Sequence, residues 1–154
     1  MLLRQPAVAN IVASALPFFH NQRYLLGEWV IMPNHVHVMI RPLPNYLLGD
    51  ILQSLKRFTS REVNKILHRT GQTLWQPESH DHWIRDDAER TGICRYIRHN
   101  PVTARLCQSP EQWQWSSAFK LLTRARPRRT ANRVAQICNL PCRGFATRVR
   151  TLRA

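Results

Sequence analysis

Apolar positions fall along the chain in two periods, and the switch between them marks the elements. From Pro6, the residues Val8, Ile11, Val12, Ala15 and Leu16 recur at helical spacing as far as Phe18 or Phe19, with proline at a first-turn position. Tyr24 to Ile31 and His35 to Arg41 change to strand composition, and Pro33-Asn34 between them supplies turn chemistry. This predicts a β-hairpin. From about Leu47 to Leu67, Leu48, Ile51, Leu52, Leu55, Phe58, Val63, Ile66 and Leu67 return to a 3.6-residue period and predict the longest helix, with Gly71 closing it. Leu74-Trp75-Gln76 and His82-Trp83-Ile84-Arg85 read as short extended segments. Asp86-Asp87 offers cap chemistry for a helix to about His99, which Pro101 is expected to stop by driving Asn100 into an extended conformation. A further helix is expected over Pro110 to Leu122. Beyond Thr123 periodicity is lost, so the chain divides into a domain over 1–122 and a basic, loosely ordered tail over 123–154.

Composition narrows the class of partner. Lys and Arg number 23 against 9 Asp and Glu, a formal charge of +14. No acid follows Glu111, whereas Lys120 and nine arginines do, so the last 43 residues carry +10 of that charge. Such a field suits a polyanion, and no run is long and apolar enough to span a bilayer; nucleic acid is expected ahead of membrane. The cysteines at 94, 107, 138 and 142 make neither a disulfide framework nor a zinc spacing. The start of the chain lacks signal-peptide features, and a cytoplasmic protein is expected.

Candidate chemistry sits on the second strand of the hairpin. Alternation places His35, His37 and Met39 on one side and Val36, Val38 and Ile40 on the other. The aliphatic side suits packing against helices, which leaves the paired imidazoles for surface or for metal ligation. A histidine pair needs a further ligand. In the predicted helix after Asp86, Tyr96 and Asn100 stand four apart on one face, as a nucleophilic phenol and a carboxamide that can serve as that ligand, or as a packed ring and a helix cap. On the long helix Arg57, Arg61 and Lys65 recur at four-residue steps with Lys56 beside them, a stripe suited equally to a sugar-phosphate backbone and to solvent.

The run Trp29-Val30-Ile31-Met32-Pro33-Asn34-His35-Val36-His37-Val38, followed in order by Leu55-Lys56, Leu74-Trp75-Gln76, Asp81-His82-Trp83-Ile84-Arg85, Tyr96-Ile97-Arg98-His99-Asn100-Pro101-Val102 and Trp113-Gln114-Trp115-Ser116-Ser117, resembles the REP-associated tyrosine transposases. These are HUH single-tyrosine transposases of the insertion-sequence 200 type. The resemblance implies an α+β, ferredoxin-like domain with an antiparallel sheet and flanking helices. It implies His35 and His37 as ligands of Mg²⁺ or Mn²⁺, Asn100 as the third, and Tyr96 as a nucleophile that nicks and rejoins single-stranded or hairpin DNA through a 5′-phosphotyrosine. Lys56, Arg57, Arg61 and Lys65, with Arg124, Arg126, Arg128 and Arg129 of the tail, would hold flanking DNA, and the protein would act as a monomer or homodimer. Family members also begin with a strand that helps form the centre of the sheet, for which this sequence leaves no room before its first helix. The same scaffold without cleavage would be a DNA hairpin-binding module. A histidine-triad hydrolase would need a third histidine where Met39 stands.

Overall fold

The computed structural model describes residues 1–77, 79–121 and 136–141. After a 3-10 turn at Leu2–Arg4, helix α1 runs Pro6–Ala15, and its first-turn proline forfeits no helical hydrogen bond there. Strand β1 (Tyr24–Ile31) pairs antiparallel with β2 (His35–Pro42), putting Ile31 opposite Val36, Val30 opposite His37 and Trp29 opposite Val38. The Met32 N–H donates to the His35 carbonyl at 2.8 Å and closes the turn around Pro33-Asn34. The register slips between Leu26 and Trp29. Gly27 stands in that slip because a Cβ there would meet Met39 Sδ at 2.9 Å. Helix α2 spans Leu48–Ile66, β3 is His80–Trp83, α3 is Asp87–Thr103, α4 is Ser117–Leu121 and β4 is Gln136–Pro141.

The strands form one four-stranded antiparallel sheet in the order β1-β2-β4-β3, an α+β arrangement of the ferredoxin-like kind expected. Helices cover both faces. On one, α1 and α2 pack Val8, Val12, Ile51, Leu52, Leu55 and Val63 against Trp29, Ile31, Val36, Val38 and Ile40. On the other, Ile97 of α3 joins Val30, Met32, Met39 and Ile84 in a smaller cluster, with Ile93 and Cys94 beside it. The histidine side of β2 is therefore not left open.

Three expectations are corrected. Helix α3 continues through Pro101 to Thr103 instead of stopping at His99, and Asn100 is helical. Only one intrahelical bond is lost, near the helix end, and the proline ring is buried in exchange. The helix expected over Pro110 to Leu122 is a 3-10 turn at Pro110–Gln112, an extended stretch, and the short α4. The outer edge of β1 draws that stretch out: Ile31 N–H donates to the Trp115 carbonyl at 2.9 Å, and Trp113 Nε1–H donates to the Ile31 carbonyl at 2.9 Å. Within the stretch expected as a tail, Gln136–Pro141 is β4, the strand between β2 and β3. It fills the centre of the sheet, where the resemblance implied a strand from ahead of the first helix. Arg124, Arg126, Arg128 and Arg129 lie outside the described residues.

Candidate active site

The turn of the hairpin sets the chemistry of its first histidine. Asn34 Oδ1 lies 2.7 Å from His35 Nδ1, so that nitrogen carries the proton and donates, which leaves the lone pair on Nε2. His35 Nε2 faces His37 Nε2 at 3.0 Å, the two rings meeting at 76°. His37 is only 5% exposed. Burial pulls the His35 pKa down to about 4; burial and then the neighbouring His35 pull His37 down to about 3. Both rings are neutral at pH 7, the form that ligates metal.

Their spacing can be compared with that of a shared ion. Two adjacent ligands about 2.1 Å from an octahedral ion stand about 3.0 Å apart, which is the separation here. Imidazole donors suit Fe²⁺, Ni²⁺, Cu²⁺ and Zn²⁺ best, so Mg²⁺ or Mn²⁺ here would draw its remaining ligands from oxygen donors. Among the described residues no group of three His, Cys, Asp or Glu could hold an ion.

Helix α3 brings the tyrosine to this pair. Asp86 caps it by accepting from the Glu89 N–H at 2.7 Å, and its Ile97 side seats it on the histidine face of the sheet. Tyr96 Oη lies 3.5 Å from His37 Nε2, at the outer limit of a hydrogen bond, with the rings edge to face at 5.2 Å. Its side is otherwise open, at 54% exposure. Asn100 stands one helical turn further on, half-buried; among the described residues no hydrogen bond joins its carboxamide to either imidazole. The structure thus gathers His35, His37 and Tyr96, with Asn100 one helical turn beyond the tyrosine.

The basic stripe lies elsewhere. Arg57, Arg61 and Lys65 are exposed on α2, across the sheet from the histidines. Arg61 pairs with Glu62 at 3.0 Å. Lys56 Nζ donates to the Gln76 and Pro77 carbonyls at 3.1 and 3.2 Å, holding the segment before β3 against α2. Trp75 is buried with Nε1–H donating to Thr59 Oγ1 at 2.8 Å, Trp113 and Trp115 pack edge to face beside β1, and Trp83 of β3 is exposed.

The family described as transposase IS200 like matches residues 10–100, a span that includes His35, His37, Tyr96 and Asn100. The chain belongs to this family. A Haemophilus influenzae protein whose name assigns it provisionally to the REP-associated tyrosine transposases is 27% identical over 97 residues, covering 56% of this chain and 54% of its own length. An uncharacterized protein of the same organism is 30% identical over 109 residues, covering 56% of this chain and 59% of its own. The chain thus spans little more than half the length of these relatives. No solved structure matches. None of the described helices is long and apolar enough to cross a membrane.

Within the IS200-like domain, sequence reasoning passed over three residues that shape the site. Asn34 reads as a turn former yet fixes the His35 tautomer. Glu28 and Arg98 form an ion pair at 2.5 Å between β1 and α3. The signal for the pair was an acid entering an otherwise apolar strand, and an arginine two residues after the tyrosine.

Proposed function

We propose that this chain nicks and rejoins single-stranded or hairpin DNA, with Tyr96 as nucleophile, in transposition of an element or at repetitive extragenic palindromes. The observation that carries the reading is the meeting of a strand and a helix at three groups: His35 Nε2 3.0 Å from His37 Nε2, and Tyr96 Oη 3.5 Å from the latter. In the forward step the Tyr96 oxygen attacks phosphorus and loses its proton. The bond from phosphorus to the 3′-oxygen breaks, and that oxygen takes up a proton to become a free 3′-hydroxyl. A 5′-phosphotyrosine remains, and attack by a 3′-hydroxyl on it rejoins strands and releases the phenol. His35 and His37 would hold Mn²⁺ or Mg²⁺, with Asn100 as a further ligand. The ion would supply charge neutralisation at the phosphate oxygens.

The exposure of Tyr96 favours this role, because a scissile phosphate must reach its oxygen. Neutral imidazoles favour it too, since protonated rings would repel a cation. Arg57, Arg61 and Lys65, on the far side of the sheet, would grip DNA flanking the cleaved bond, together with the arginines at 124, 126, 128 and 129. As a monomer or a homodimer, the chain would work in the cytoplasm on DNA exposed there as a single strand.

The test is incubation of the protein with labelled hairpin DNA and Mn²⁺ or Mg²⁺, followed by a denaturing gel beside Tyr96→Phe. A covalent band in the wild type, absent from the variant and from a chelator-treated sample, is the expected result. Adducts that persist in Tyr96→Phe would move the nucleophile. Binding with no band in any sample would make the chain a non-catalytic hairpin-binding module.

A further inference from the structure

Tyr96 touches the histidine pair through one long contact, so its reach is set by the seat of α3. That seat is small. Ile97 is the one α3 residue fully buried with Val30, Met32, Met39 and Ile84; Ile93 and Cys94 are partly covered. Polar contacts fasten the helix at two further places: near its start Glu89 accepts from His82 Nε2–H at 2.6 Å and from the Arg85 N–H at 2.7 Å, and beside Tyr96 the helix is tied to a single side chain of β1.

Glu28 has both carboxylate oxygens engaged. Oε1 accepts from Arg98 Nη2 at 2.5 Å, and Oε2 accepts from Ser117 Oγ–H at 2.6 Å. Ser117 Oγ in turn accepts from the Trp29 N–H at 3.1 Å. One carboxylate therefore ties together the helix that carries Tyr96, the strand beside the histidine strand and the start of α4. Among the described residues Arg98 has Glu28 as its one ion-pair partner, and its Nε is buried without a hydrogen bond. The bond to Glu28 raises the guanidinium pKa, so the arginine stays charged and the pair stays charge-assisted. The pair is partly shielded, with side-chain exposures of 39% and 17%.

We infer that Glu28, Arg98 and Ser117 form a latch that sets the distance between Tyr96 and the histidine pair, acting as positioning residues that do not themselves touch the reacting atoms. The inference rests on the proposed role of Tyr96 for its functional meaning, although the geometry it predicts is independent of that role. Arg98 lies two residues from Tyr96 and two from Asn100, on the side of α3 that faces β1. A helix freed there can roll on its narrow apolar contact, carrying the phenol away from His37. Misplacement of a reacting group by about 1 Å costs about a hundredfold in rate.

Glutamine at position 28 keeps one acceptor oxygen but no charge, and its amide group meets Ser117 as a donor, so the ion pair with Arg98 is lost and the hydrogen bond from Ser117 is no longer charge-assisted. The experiment compares Glu28→Gln, Arg98→Met and Arg98→Lys in full-length protein carrying 3-fluorotyrosine. The chain has three tyrosines, and ¹⁹F resonances are assigned by single Tyr→Phe replacements. His37→Ala first establishes the wild-type Tyr96 shift caused by the neighbouring ring. Glu28→Gln and Arg98→Met are expected to move the Tyr96 resonance toward its His37→Ala position, while Tyr24, buried on the other side of the sheet, stays put and reports an intact fold. Arg98→Lys should recover part of the shift. In parallel, adduct formation should slow about tenfold to a hundredfold with the Kd for hairpin DNA unchanged. Tyr96 resonances that keep their wild-type position in both Glu28→Gln and Arg98→Met would overturn the latch. A wild type that makes no adduct would overturn the nucleophile and leave the resonance comparison to decide the latch alone.

Discussion

The two faces of the sheet carry unequal cores. Against α1 and α2, eighteen described residues from Leu3 to Trp75 form one buried cluster; against α3 there are five, Val30, Met32, Met39, Ile84 and Ile97. Apolar burial contributes roughly in proportion to area removed from water, so the thick face supplies most of the cohesion. The thin face holds the half-exposed tyrosine, the neutral histidine pair and the ion pair of Glu28 with Arg98. Polar groups there occupy positions that packing would otherwise claim, and the helix bearing Tyr96 is held by a few contacts that can be altered without dissolving the fold.

That contrast can be broken first at its strong side. Ile40, fully buried among α1 and α2, should cost about 2–5 kcal/mol on replacement by alanine, read as a lowered midpoint of urea unfolding. A loss under about 1 kcal/mol would mean that the thick face is not the stabilising one. The next effect belongs to the histidines. His35 and His37 have folded pKa values of about 4 and 3, below the ordinary 6.5, so the unfolded chain binds protons that the folded one refuses. Their contribution to stability is complete above pH 6.5 and is lost as pH falls through the folded values. With chelator present, wild type should lose stability relative to His37→Gln by up to about 1.4 kcal/mol per pH unit below 6.5. Parallel profiles for the two proteins would contradict the burial of a neutral His37. The smallest effect is at the cap of α3. Asp86→Ala removes the bond to Glu89 N–H and should cost about 1 kcal/mol, with faster amide exchange confined to the first turn of α3. Equal acceleration in α2 would show that the two faces unfold as one.

Much of the thick face was legible in the sequence. Its helices and both strands of the hairpin came from periodicity, because burying one stripe of a helix or one side of a strand writes a regular spacing. The pairing of His35 with His37 was legible for the same reason. Less of the thin face was. Asn100 and Pro101 were read from the rule for residues before proline, which a helix end overrides when only one bond is forfeited and the ring is buried. The latch was hidden because Glu28, Arg98 and Ser117 lie far apart in sequence, and their meeting depends on how α3 settles on β1. β4 was hidden by its surroundings: Gln136 to Pro141 is a weak strand pattern amid arginines, and its place is dictated by the two strand edges it joins.

The position of β4 has a bearing on how this molecule is made. Protein synthesis proceeds at about 5–20 residues per second, so roughly 5 to 20 seconds separate the emergence of β2 from that of the strand that pairs beside His37. During that interval the nascent hairpin shows the ribosome's surroundings a row of unpaired backbone groups along its histidine strand, an invitation to other extended chains. Until β4 slides in and closes the middle of the sheet, whatever keeps that edge from pairing wrongly must come from outside the chain, because the arginine-rich stretch emerges together with the strand itself.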